Sequence, residues 1–390
     1  MQVSIFHSTL SLDAQRWNAL AGNHPFTRYE FLANLEKQHC ATPATGWTPR
    51  FLVAHEGAHW QGAVPVYLKT HSYGEYVFDW AWADAFARHG LRYYPKLVCA
   101  IPFTPVTGPR LLIAPGASRR QVTQTLCRSV HALSEQLALS SIHWLFPDPG
   151  SRDALRPCSY LWRSDIQFHW FNEGYRHFDD FLCRLHSRKR KNIRRERRQI
   201  RAHGITVDIK SGNDITDNDL VAFYRCYSRT ALCKSGQVYL TLDFFRAIAA
   251  ELTSHVVLFL ARRGGRIIGA AWCLRDEETL YGRHWGCLEP TPGLHFETCY
   301  YTPIEYCIEE HLTRLDGGAQ GEHKLARGFR AVETVSAHWI RHPGFRHAID
   351  RFLDEERAGL SAYRETLARH TPFRHGATMP SGELPRTAFR

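Results

Sequence analysis

The sequence of 390 residues has only 2 Met, few Lys among its 49 basic residues, and one acid between positions 188 and 201. It has no uninterrupted apolar stretch of membrane-spanning length. Its start, M-Q-V-S-I-F-H-S-T-L-S-L-D, lacks a basic region followed by an apolar one. These absences argue against a transmembrane segment and a secretory leader. The expectation is a soluble cytoplasmic protein, with peripheral membrane contact left open. The 11 Cys run from Cys40 to Cys307 without a CxxC pair or a regular framework. That suits free thiols in a reducing compartment. A disordered basic polypeptide is excluded by 44% hydrophobic residues, with 11 Trp, 16 Tyr and 22 Phe.

The length exceeds one ordinary core and predicts two domains. Charge is concentrated in S-R-K-R-K-N-I-R-R-E-R-R-Q-I-R-A-H-G at 187–204. Between 188 and 201 there are nine Lys or Arg and one acid, an excess of eight positive charges against +11 for the whole chain. On a helix, Arg190, Lys191, Arg194, Arg195, Arg197, Arg198 and Arg201 share one arc and Ile193 and Ile200 lie opposite. Ser187 reads as N-cap and Gly204 as the residue past the C-terminus. A solvated helix, nucleic acid, an acidic carrier protein, a phosphorylated substrate and an anionic membrane face all fit such a run.

Alternation and turn chemistry predict two similar hairpins, at 52–68 and 260–274, each with its second strand entered through Gly-Ala. Their separation suggests a duplicated α/β domain. Helical and strand patterns alternate elsewhere, which predicts a mixed α/β sheet. A helix is expected over 296–312 despite Pro303, a short one over 322–327, and a closing one over 343–370.

The run D-G-G-A-Q-G-E-H-K-L-A-R-G-F at 316–329, followed by V-E-T-V-S-A-H-W, is unusually specific. With H-F-E-T-C-Y-Y at 295–301, S-R-K-R-K-N-I-R at 187–194 and Y-Y-P-K-L at 93–97, it resembles a bacterial family of N-acyltransferases. That family is related to the Fem-type peptidoglycan aminoacyltransferases and the GNAT superfamily. The resemblance covers about residues 1–369. It implies an α+β fold of two tandem GNAT-like domains: residues 1–165, residues 166–342 carrying the basic helix, a closing helix at 343–370 that packs back on the first domain, and a mobile tail at 371–390. It also implies transfer of an acyl or aminoacyl group to an amine, such as a cell-wall precursor. Acyl-CoA, an acyl carrier protein or aminoacyl-tRNA would be the donor, and no cofactor would be tightly bound.

One departure concerns the donor. The usual GNAT loop cradles the coenzyme A pyrophosphate with successive N–H groups. Here G-C-L-E-P-T-P-G-L-H-F-E at 286–297 puts Glu289 and two prolines in its place. Acyl transfer needs a deprotonated amine, a donor at the developing oxyanion and an acid for the leaving group. Glu322, His323, His295 and Glu297 are the candidate catalytic groups. Gln320, Lys324 and Arg327 are the candidates for holding substrate or donor, and Arg190, Arg194 and Arg198 for docking it. The alternatives are ordinary surface charges for Lys324 and Arg327, a first-turn carboxylate for Glu322, and capping or buried hydrogen bonding for His295 and Glu297. Asp79, Trp80 and Asp84, in V-F-D-W-A-W-A-D, could stack an amine-bearing acceptor or serve as core aromatics with capping aspartates. No compact ligand set points to a metal. A non-catalytic nucleic-acid-binding protein is the alternative function.

Overall fold

The computed structural model describes residues 1–319 and 321–374. Its strands are β1 (Gln2–Phe6), β2 (Trp47–Pro49), β3 (Phe51–Glu56), β4 (His59–Val64), β5 (Val66–Lys69), β6 (Lys96–Cys99), β7 (Leu112–Ile113) and β8 (Ser141–Leu145), followed by β9 (Leu161–Phe171), β10 (Ile205–Ser211), β11 (Val256–Arg263), β12 (Arg266–Arg275), β13 (Thr279–Cys287), β14 (Arg314–Asp316) and β15 (Arg330–Ile340). An 11-stranded sheet runs β10-β11-β12-β13-β14-β9-β15-β8-β6-β5-β2, beside a 4-stranded sheet β1-β3-β4-β7.

Both expected hairpins form, β3–β4 and β11–β12. In the second, Gly264 and Gly265 turn the chain with φ of 55° and 77°, conformations costly for any side chain. The first half then departs from the second. Pro65, which has no N–H for a ladder, separates β4 from β5, and the chain crosses to the large sheet. Each half goes on to a parallel pair reached through a helix. These pairs are β6 with β8 after the helix Arg119–Gln136, and β13 with β14 after the helical segment 294–309.

The halves are interlocked. β15 pairs with β8 of the first half and with β9, while β9 also pairs with β14. The expected boundary at residue 165 therefore falls inside β9. One apolar core also crosses between the halves, with Phe26 against Tyr281 at 5.3 Å and Phe31 against Phe244 at 5.5 Å between ring centroids. The closing helix, Pro343–Arg369, lies on β9 and β15. Ile349 and Leu353 pack with Trp82, Phe86 and Tyr93 of the first half, and Leu367 enters the core of the second. The expected tail at 371–390 lies, from 375 on, outside the described residues. Among the described residues no helix is long and apolar enough to cross a membrane.

Candidate functional site

The basic helix spans Ser187–Ala202 and buries Ile193 and Ile200. Its N-terminal end differs from expectation, since His186 holds the N-cap position and Ser187 is the first helical residue, while its C-terminal end is as expected. Gly204, with φ of 67°, lies one residue past the cap and donates its N–H to Arg201 O at 2.9 Å. Arg188, Lys191, Arg195, Arg198 and Arg201 are exposed and Lys189 and Arg190 half-buried, none in an ion pair among the described residues. Arg194 meets Asp179 at 2.8 Å. Arg197 leaves the anion-facing arc. It stands at the edge next to Ile193 and turns inward to Glu297 at 2.9 Å and Glu305 at 2.7 Å, stacked on Phe178.

Beneath this helix lies the expected central helix, broken into three pieces: Leu294–Phe296, a π-helical turn at Glu297–Tyr301, and Thr302–Glu309. Pro303 explains the widened turn. It has no N–H for the carbonyl four residues earlier, and its ring would strike that carbonyl, so the turn relaxes to longer bonds. The widening brings Tyr300 and Tyr301 inward, both buried. Tyr300 OH lies 3.0 Å from His295 Nε2 and 3.0 Å from His323 Nε2, bridging two imidazoles. Burial and nearby cations push His295 down to about 3, and burial with Lys324 and Arg327 holds His323 below 6.5. Both rings are neutral at pH 7. His323 is exposed at the mouth of this chain, while Tyr300, whose phenol is raised by burial, stays protonated within it.

The short helix Glu322–Arg327 is a 3-10 turn that places His323, Lys324 and Arg327 at the same spot. Lys324 and Arg327 are 5% and 8% exposed, so neither is an ordinary surface charge. Arg327 gives Nη2 to both carboxylate oxygens of Glu196 at 2.9 and 3.0 Å, Nε to Tyr301 OH at 2.8 Å and Nη1 to His323 O at 2.9 Å. Its guanidinium sits 3.4 Å from the Phe296 ring centroid. So fully engaged, Arg327 braces this turn, and Lys324 is the second cation buried in it. Burial and the charge of Lys234 bring Lys324 down to about 8, against the pull of Asp316 and Cys299. Its Nζ reaches Gly318 O at 3.5 Å. Asp316 stays ionised, at about 2. Burial opposes this, but His169 at 3.2 Å, Arg314 and the Gly318 N–H overcome it. Asp316 Oδ2 and His169 Nδ1 are buried without a hydrogen-bond partner among the described residues.

Glu297 lies outside this histidine–tyrosine chain. Its carboxylate is held by Arg197 and by Thr302 Oγ1 at 3.3 Å, and so fastens the basic helix to the central one. Glu322 opens the 3-10 turn, but its side chain and all of Gln320 lie outside the described residues. In the loop expected to lack a pyrophosphate cradle, Leu288 and Glu289 both donate to Ile268 O, at 2.8 and 3.4 Å, Leu294 donates to Thr291 O at 3.1 Å, and Pro290 and Pro292 have no N–H. The Glu289 carboxylate pairs with Arg263 and Arg266. Among the described residues no group of three or more His, Cys, Asp or Glu could hold a metal.

The first half buries a second polar network around Asp79. Lys96 donates to Ser72 Oγ and Glu75 Oε2, each at 2.8 Å, and to Asp79. Tyr93 donates to Asp79 Oδ2 at 2.6 Å and lies 3.3 Å from His143 Nε2. His143 and His338, directly opposite on β8 and β15, share a hydrogen bond between their Nδ1 atoms at 2.7 Å, and His338 continues to Ser336 at 2.8 Å. Lys96, Glu75, Asp79, His143 and His338 are all buried. Asp79 is thus a core ion-pair partner. The other two candidates of this segment point to solvent: Trp80 lies beside Tyr73, and Asp84 is paired with Arg88 at 2.9 Å.

Residues 8–375 match the FemAB-like profile, described as peptidoglycan biosynthesis and recognition. The chain belongs to the FemAB-like family. This FemAB-like protein is similar to FemX, with a TM-score of 0.54 at 12% identity over 90% of this chain and 100% of that one. It is also similar to the C-terminal domain of a putative lysylphosphatidylglycerol synthetase from Agrobacterium fabrum. There the TM-score is 0.52 at 9% identity, over 89% of this chain and 97% of that domain. The fold shared with these two structures is a mixed α+β arrangement. No sequence among curated proteins matches.

Proposed function

We propose that this FemAB-like protein is an acyltransferase that moves an aminoacyl group to an amine acceptor in cell-envelope or peptidoglycan metabolism. The observation that carries the reading is the joining of an anion-facing helix to a desolvated histidine–tyrosine–histidine chain through Glu196, Arg327 and Tyr301. A neutral His323 can take the proton of the attacking amine, with Tyr300 and His295 behind it to hold the ring or receive the proton. Lys324, in its ammonium form, can stabilise the oxyanion or the leaving group in a site with little water. The charge of Asp316 favours that ammonium form.

Among activated donors, aminoacyl-tRNA fits best. In the 286–297 loop the Leu288, Glu289 and Leu294 N–H groups are occupied and Pro290 and Pro292 have none, which disfavours free acyl-CoA, and a row of exposed cations suits a polyphosphate backbone better than one pyrophosphate. The FemX likeness is consistent with this choice. The test is to offer the purified protein acyl-CoA, acyl carrier protein and aminoacyl-tRNA, each with a cell-wall-precursor amine. Transfer from aminoacyl-tRNA is expected. Replacing Arg190, Arg194 and Arg198 by Gln should weaken tRNA binding and lower its salt slope by about 2–3. Transfer from acyl-CoA or acyl carrier protein alone would reject the donor. Tight tRNA binding with no transfer from any donor would favour the exposed cationic face acting as a nucleic-acid-binding surface alone.

A further inference from the structure

The acid at position 196 interrupts a helix whose exposed face is built to attract anions, where it can only weaken that attraction. Its side chain is 22% exposed and turned inward, on the side of the helix that carries Ile193 and Ile200. There it accepts both Nη2 hydrogen bonds of Arg327 and the hydroxyl of Tyr301. Both supports of His323 lead back to these two partners. The His323 carbonyl is held by Arg327 Nη1, and the His323 ring by Tyr300, the neighbour of Tyr301 in the π-helical turn.

We infer that Glu196 is a positioning residue through which occupation of the basic helix by a polyanion sets the placement of the His323 ring. The inference rests on the docking role proposed for that helix. It goes further by naming the route to the site. Three features make the route mechanically stiff. Arg327 reaches both Glu196 oxygens through Nη2 while Nε holds Tyr301 OH and Nη1 holds His323 O, so three of its nitrogens are fixed at once. The Arg327 plane is clamped on Phe296 at 3.4 Å, so the guanidinium cannot swing while keeping its bonds. Arg197, the next residue, is tied to Glu297, which opens the π-helical turn, and to Glu305 in the helical piece after it, so it links the basic helix to two pieces of the central one. A phosphate chain drawn against Arg190, Arg194 and Arg198 pulls on a helix whose inner face carries the support of His323.

The experiment uses the full chain with its histidines isotopically labelled at Cε1, and follows the His323 resonance while short inorganic polyphosphate is added. Binding of polyphosphate and of unfractionated tRNA is measured separately. In the parent protein the His323 resonance should move in step with polyphosphate binding. In Glu196→Gln polyphosphate should still bind, since the outer cations are untouched, while the His323 response falls at least about threefold. Glu196→Asp keeps the charge but is too short to span both partners, and should give an intermediate response. It also serves as the readout if the Gln variant unfolds. A response equal in parent and variants, or no response in the parent while polyphosphate binds, overturns the inference. Absence of polyphosphate binding would overturn it together with the docking role. Failure of tRNA alone to bind would reject only the donor class.

Discussion

The molecule buries two chains of titratable side chains linked by hydrogen bonds, and the two chains differ in what lies at their ends. One runs from Lys96, Asp79, Tyr93 and His143 of the first half to His338 and Ser336 on β15 of the second, closed at both ends within protein. In the second half, His295, Tyr300 and His323 begin in the core and end at an exposed imidazole, beside a buried lysine and under a cationic helix. Perturbed groups are therefore not sufficient to mark a site here. Of these two chains only the second reaches solvent, so under the proposed function it is the one that could exchange a proton with a bound amine, while the first links strands. Two carboxylates, Glu75 and Asp79, share the Lys96 ammonium in the first network, which suits stability and specificity of packing rather than turnover.

This contrast can be attacked first at Lys96. Lys96→Met should cost about 3–5 kcal/mol of stability in chemical denaturation, because it leaves two buried carboxyls without their cation. A loss under about 1 kcal/mol would mean that the network is not the structural element described here. Next comes Glu75, whose carboxyl is pushed up from 4.5 to about 7 by burial, with Asp79 adding to the rise and Lys96 opposing it. A group whose folded value is raised contributes stability that is complete below the unfolded value and lost as pH rises through the folded one. Glu75 should therefore add a contribution that declines between about pH 4.5 and pH 7, against the rise that buried neutral histidines such as His295 and His338 impose there, and Glu75→Gln should remove that declining contribution. An unchanged slope in the variant would place the decline elsewhere. Smaller still is the effect expected at Tyr300. Tyr300→Phe removes the bridge between His295 and His323 but keeps the ring packing, and should slow transfer about tenfold with little change in melting temperature. A large fall in stability without a change in rate would turn this second chain into a structural one like the first.

Much of the second cluster was legible in the chain. The run at 316–329 and the segment at 295–301 named His295, His323, Lys324 and Arg327, which the fold brings to one place. What hid Glu196 was composition: in a charge run the one acid reads as noise. Its place on the helix, on the Ile193 and Ile200 side of the wheel, is the signal that could have found it. Arg197 was misplaced for a related reason. An arc drawn from charge alone cannot tell which border residue turns inward, and Glu297 and Glu305, which draw it in, are distant in sequence. Tyr300 entered only because Pro303 widens a turn that reads as ordinary helix. The first-half network was illegible as a whole. His143 and His338 become neighbours only through the β8–β15 pairing, and that pairing joins strands of different halves. The same exchange explains why the domain boundary expected at residue 165 from the family resemblance cuts through a strand.

The most direct measurement is single-turnover transfer of a labelled amino acid from aminoacyl-tRNA to a cell-wall-precursor amine, comparing the parent with His323→Ala and Ser336→Ala. If chemistry belongs to the chain that reaches solvent, His323→Ala folds normally and loses about 10²–10⁴ in rate, while Ser336→Ala stays within about twofold of the parent. Full transfer by His323→Ala would contradict that assignment, as would a loss in Ser336→Ala alone.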